Sequence, residues 1–213
     1  MGRIGETLNG KTLIVDTGRS GTGWCAQALN DAGVKCGHQS VFKHEHTLTG
    51  AVPSWGDWDA DSSYEAVPVL PKLYPNVNVI LVIRHPLQVM RSWLEHGAFT
   101  DEMPTRFGQF WQVLQKHHPG VMEQKQPEDR AARYWLEWNV SAARSADAIA
   151  PLEQLTPRLL CHLVGTVTTQ DTLEPVDAAV ADKTGTVGEL GWRDVKQPLR
   201  GNLRAYAEQW GYK

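Results

Sequence analysis

Two stretches of the chain are apolar at consecutive positions. Lys11-Thr-Leu-Ile-Val-Asp16 is a β-branched run that stops at glycines and predicts a buried strand. Asn78-Val-Ile-Leu-Val-Ile83 is the stronger run, apolar on both faces as central parallel strands are. Elsewhere the apolar period is helical. Residues 23–32 predict a helix ending at Gly33, and Pro86 fits the first position of a helix running to about His96. Phe107, Phe110, Trp111 and Leu114 share one helical stripe, and Ala131, Trp135, Trp138 and Ala142 share another. Thr156-Pro157 is an N-cap followed by proline, opening a helix to about Val164. Leu199, Leu203, Tyr206 and Trp210 make the last stripe. Residues 43–65, with Pro53, Gly56 and several Asp and Ser, read as a loop. Strands alternating with helices imply an α/β fold: a single three-layer domain over 1–213, with a central parallel sheet flanked by helices. Ligands of such sheets bind beyond the carboxyl ends of the strands.

Composition narrows the function classes. The 213 residues, 41% hydrophobic and 21% charged, suit one ordinary globular domain. A net charge of −3 argues against a nucleic-acid partner, which selects for a basic face. Cys25, Cys36 and Cys161 have no zinc-ligand spacing, and an odd number suits reduced thiols. The start lacks the apolar segment of a secretory signal, and no run reaches the ~18 apolar residues of a membrane helix. A cytoplasmic protein with no membrane partner is expected, and Asn139-Val-Ser141 is then a chance glycosylation sequon.

The first strand leads into Thr17-Gly-Arg-Ser-Gly-Thr-Gly-Trp-Cys25. A glycine-rich turn between strand and helix directs backbone N–H groups at the helix's positive end, an anion site by geometry. The spacing follows G-x-x-x-x-G-K-[ST] except at its end, where Trp24 replaces the lysine and Cys25 the magnesium-ligating hydroxyl. That opposes a Mg²⁺-ATP kinase, and the absence of G-x-G-x-x-G weakens a dinucleotide reading.

Arg19-Ser-Gly-Thr-Gly-Trp24 resembles the 5′-phosphosulfate loop of sulfotransferases that use 3′-phosphoadenosine 5′-phosphosulfate (PAPS). The resemblance implies that Arg19 meets the bridging oxygen as sulfuryl leaves. It also implies that Ser20, Gly21, Thr22 and Gly23 hold the 5′-phosphate and that Trp24 stacks on adenine. Ile83-Arg-His-Pro-Leu-Gln-Val-Met-Arg-Ser-Trp93 is similar to the family's 3′-phosphate signature, with Arg84 and Ser92 as its clamp. Both motifs occur in the family's order. Looser similarity covers Ser62–Pro68, Trp135–Asn139, Leu190–Asp194 and Gly211-Tyr212, and Lys183-Thr-Gly-Thr186 takes the place of a loop facing the 3′-phosphate. The implied fold is P-loop-type, and the implied reaction moves a sulfuryl group from PAPS to a hydroxyl or amine of a small-molecule or glycan acceptor. Adenosine 3′,5′-bisphosphate is the product and no metal is needed. Residues 43–65 become the acceptor-side loop. The alternatives are a P-loop nucleoside or small-molecule kinase and a catalytically degenerate nucleotide-binding module.

The base for the acceptor proton is the open position. Relatives often read Gly-His-Glu where this chain has Gly37-His-Gln39, and a glutamine cannot take a proton. His38 is the first candidate and Glu45 the second, with His44 and His46 nearby; a neutral imidazole suits the task. His44-Glu-His46 lacks the H-E-x-x-H spacing and a third ligand, so no metal is expected. His117-His118 reads as a solvated helix end, and Trp55 and Trp58 either stack on an acceptor or pack on the sheet edge.

Overall fold

A computed structural model describes residues 10–166 and 190–213. In chain order its principal elements are β1 (Thr12–Val15), α1 (Thr22–Asp31), β2 (Cys36–His38), α2 (His44–Thr49), β3 (Ala60–Ser62), β4 (Asn78–Ile83), α3 (Pro86–Glu95), α4 (Gly108–His117), α5 (Pro127–Ala143), β5 (Ala148–Pro151), α6 (Pro157–Val164) and α7 (Leu199–Glu208). The chain is an α/β protein with a five-stranded parallel sheet flanked by helices. Its described residues fall into two compact units, one from 10–83 and 141–166 and the other from 84–140 and 190–213.

The first unit holds the sheet, in the order β2-β3-β1-β4-β5 with every pair parallel. Parallel pairing gathers the carboxyl ends of the strands, Val15, His38, Ser62, Ile83 and Pro151, along one edge. Ile14, Ala60, Ile80, Val82 and Ala150 make one face of the core beneath Cys25, Ala28 and Leu29 of α1 and Leu160 and Cys161 of α6. Leu13, Val15, Val79 and Leu81, on the alternate positions, are equally buried. This double burial explains why β1 and β4 carry unbroken apolar runs. Truncating a fully buried side chain such as Leu29 to alanine costs about 2–5 kcal/mol.

The second unit is built around an aromatic cluster. Trp93 of α3 stacks on Phe110 of α4 at 5.2 Å between centroids and 17° between planes. Tyr134 of α5 meets Phe110 edge-on at 5.5 Å, and Trp138 lies 5.1 Å from Tyr134. The α5 stripe of Ala131, Trp135, Trp138 and Ala142 is buried, with Tyr134 beside it, whereas of the α4 stripe Phe110 and Leu114 are buried, Phe107 and Trp111 are half-buried, and Val113 completes the packing face.

Three features depart from the sequence reading. The stretch 43–65 is not all loop, because α2 and β3 lie within it. His118 is not solvated: it is 8% exposed, its Nδ1 is 3.2 Å from Glu137 Oε2, and its ring lies 5.0 Å from Trp138. The carboxylate of α5 draws the imidazole inward, which the neighbouring Pro119-Gly120 does not reveal. Finally, β2, β3 and β5 are strands that the sequence reading does not predict: β2 and β3 are three residues long, and β5 is the short run Ala148-Ile-Ala-Pro151, which ends at a proline. Asn139 is wholly buried, so its sequon is closed to glycosylation.

Candidate functional site

The loop between β1 and α1 is shaped by its backbone. Gly18, Arg19 and Gly21 have φ of 65°, 58° and 90°, all in the left-handed region. Glycine enters that region freely, whereas arginine pays about 1–2 kcal/mol to do so. At position 21 glycine is required twice, since a Cβ would also stand 2.6 Å from Leu152 Cδ1. Buried side chains brace the turn from below. The Gly18 N–H donates to Asp16 Oδ1 at 2.6 Å, the Thr17 and Ser20 hydroxyls lie 2.9 Å apart, and Ser20 Oγ donates to the Gly18 carbonyl at 3.2 Å. Arg19 is left exposed on the turn.

Helix α1 starts directly at Thr22. No side chain caps its Gly21 N-cap and no acidic residue stands in its first turn. The first N–H groups of a helix have no intrahelical acceptors, and the helix dipole adds partial positive charge there. A cradle of left-handed glycines at such a terminus fits a phosphate or sulfate group. Trp24 is 8% exposed and belongs to the core cluster with Cys25 and Leu29.

The structure brings His38 to this loop. His38 ends β2, and its Nε2 lies 3.2 Å from Oγ1 of Thr22. Gly23 leaves room for the ring, whose Cε1 would sit 3.7 Å from a Cβ at that position. Glu45, by contrast, has a side chain 70% exposed and its Oε1 3.8 Å from His46 Nε2. His46 accepts the Lys43 N–H on Nδ1 at 3.2 Å. His44 is held by Glu65, Nδ1 to Oε1 at 3.2 Å, and burial lowers its pKa. His38 is thus placed within hydrogen-bond distance of the loop.

Sequence reasoning missed a set of buried acids along the same strand ends. Asp16 is wholly buried, and that desolvation pushes its carboxyl up to about 7, against the opposing pull of the Gly18 N–H. Glu65 is 6% exposed and pushed up to about 7, first by burial and then by the Asp61 charge. Asp16 Oδ2 and Glu65 Oε2 have no hydrogen-bond partner among the described residues. Because burial raises the Asp16 carboxyl to about 7, it carries less negative charge near neutral pH than an ordinary aspartate and opposes an anion less. Asp61 accepts three backbone N–H groups, those of Ser40, Val41 and Phe42. No spacing rule points to these acids, since each is buried by residues distant in sequence.

The second motif lies in the other unit. Arg84 is half-buried, its Nε donates to Gln88 Oε1 at 2.9 Å, and its carbonyl accepts Trp135 Nε1–H at 3.1 Å. Pro86 opens α3, and the His85 ring caps the helix by accepting the Leu87 N–H. Ser92 is half-buried one and a half turns along, with Val89, Met90 and Trp93 supplying the packing face. His85 also lies 5.8 Å from Trp192 and 5.4 Å from Tyr212. The Lys183–Thr186 loop lies outside the described residues.

Trp55 is buried edge-on against Phe42 at 5.6 Å, and Lys35 Nζ stands 5.5 Å over the Trp58 ring. The packing reading thus accounts for Trp55. Among the described residues no three His, Cys, Asp or Glu side chains are grouped to hold a metal ion, and no helix is long and apolar enough to cross a membrane. Comparison with protein-family models, with curated proteins and with solved structures gives no match.

Proposed function

We propose that this protein transfers a sulfuryl group from PAPS to a hydroxyl or amine of a small-molecule or glycan acceptor. The observation that carries this reading is the imidazole of His38 set 3.2 Å from the hydroxyl of Thr22 in a lysine-free phosphate loop. The left-handed glycines and the uncapped start of α1 suit the 5′-phosphosulfate, and the exposed Arg19 guanidinium suits its bridging oxygen. Arg84 and Ser92 are assigned the 3′-phosphate, which a fork-shaped cation and a hydroxyl recognise well.

In the proposed reaction His38 takes the acceptor proton as the acceptor oxygen or nitrogen bonds to sulfur. The bond from sulfur to the bridging oxygen breaks, its electron pair stays on that oxygen, and Arg19 stabilises the charge formed there. The products are the sulfated acceptor and adenosine 3′,5′-bisphosphate. The test is PAPS turnover over a panel of phenols, amines and sugars. His38→Gln is expected to lower kcat about 100-fold or more while leaving bisphosphate affinity within about twofold. Full activity in that variant would remove His38 as the base.

The buried indole of Trp24 favours a second reading, an anion- or nucleotide-binding module that does not use adenine stacking. Binding of the bisphosphate with no transfer to any acceptor of the panel selects it. A kinase reading requires Mg²⁺-ATP turnover from a loop in which Trp24 stands at the lysine position.

A further inference from the structure

We infer that Asp61 is the positioning residue of the proposed transfer site: its carboxylate gathers the turn that follows His38 and so fixes the imidazole against Thr22 of the phosphate loop. The inference rests on the reading of His38 as the base.

His38 is the last residue of β2, a three-residue strand that among the described residues lies at the edge of the sheet and pairs with β3 alone. Such a strand has few ladder bonds with which to hold its own end. Beyond it the chain reverses through Gln39, whose φ of 55° is left-handed and whose N–H donates to the Ser62 carbonyl at 3.1 Å. The next three backbone N–H groups all converge on one side chain. Ser40 donates to Asp61 Oδ1 at 3.0 Å, and Val41 and Phe42 donate to Oδ2 at 3.3 and 3.1 Å.

Asp61 is wholly buried, so these bonds are its solvation, and losing them would leave a charged group bare. The close approach needs a glycine opposite. In the parallel register Asp61 faces Gly37, where a Cβ would stand 2.6 Å from Asp61 Oδ1 and 2.6 Å from Ser40 Cβ. Gly37, His38 and the turn at 39–42 therefore form one unit clamped by a single carboxylate.

Burial raises the Asp61 carboxyl above its ordinary range, and the three N–H groups and the neighbouring His38 oppose that rise. Glu65 is the other acid whose charge meets Asp61.

The test uses the full chain with Asp61→Asn, which keeps the size but replaces one acceptor oxygen by a donor. Gly37→Ala is its partner and displaces the same contact without changing charge. The first readout is the NMR cross-peak between the His38 ring and the Thr22 methyl, expected in the wild type and lost in both variants. The second is sulfuryl transfer from PAPS to 2-naphthol. There Asp61→Asn is expected to lower kcat about 10- to 100-fold, leave the KM for PAPS unchanged, and cost nothing further in a His38→Gln background. A cross-peak that survives in both variants, or a full additional loss in the His38→Gln background, overturns the inference. If Asp61→Asn does not fold, Gly37→Ala decides. Loss of the cross-peak in a protein that binds no adenosine 3′,5′-bisphosphate keeps Asp61 as the clamp of His38 and rejects only the reaction.

Discussion

The loop at 17–22 and the Arg84–Ser92 motif are assigned to the two ends of one nucleotide, yet they are made differently. The loop is a backbone object: its shape follows from Gly18 and Gly21, from Leu152 against Gly21, and from the buried Asp16, Thr17 and Ser20 beneath it. The second motif is a side-chain object. Its helix is anchored by Val89, Met90 and Trp93, while the Arg84 Nε donates to Gln88 Oε1 in an exposed pair. An anion site of the first kind is inseparable from folding, and one of the second kind can be deleted with little cost to the fold.

The largest expected effect follows from the first kind. Gly21→Val forces a β-branched residue to φ near 90° and drives its side chain into Leu152. It is expected to cost about 2 kcal/mol or more of stability and to abolish measurable bisphosphate binding, read by thermal melting and calorimetry. Arg84→Ala comes next. Losing a charge-assisted contact weakens adenosine 3′,5′-bisphosphate about 10- to 100-fold, leaves AMP unaffected, and keeps the melting temperature within a few degrees. Equal weakening of AMP would show that Arg84 does not read the 3′-phosphate and would break the contrast.

The third effect is pH dependence. Asp16 and Glu65 keep their protons up to about pH 7 when folded, whereas the unfolded chain releases them near the ordinary values of 3.8 and 4.5. Between those limits the folded state binds more protons than the unfolded one, so stability falls as pH rises. The slope is up to about 1.4 kcal/mol per pH unit for each group, and it levels off above about pH 7. Urea unfolding at pH 5 and pH 7.5 measures this, and Asp16→Asn is expected to lose less over that interval than the wild type. Glu45→Gln is the smallest: with its side chain 70% exposed, it is expected to leave turnover within about twofold.

The parts legible in the sequence were those set by local pattern. β4 was delimited to the residue, and α3, α5 and α6 to within a few, because burial on both faces or on one helical stripe writes itself into consecutive or periodic positions. Cys36-Gly-His38 and Ala60-Asp-Ser62 are only three residues long and lack a run of large apolar side chains, so they carry no such signal. The left-handed turn between β1 and α1 was legible from its glycines. Asp61's hold on 40–42 spans about 20 residues and has no local signature; its one trace is Gly37, a glycine with ordinary φ, held by close approach.

The central claim, that this chain binds a nucleotide carrying a 3′-phosphate as well as a 5′-anion, is tested most directly by calorimetric titration with adenosine 3′,5′-bisphosphate beside AMP and Mg²⁺-ATP. The account predicts metal-independent binding of the bisphosphate, at least about tenfold tighter than AMP. Binding of Mg²⁺-ATP with none of the bisphosphate would contradict it.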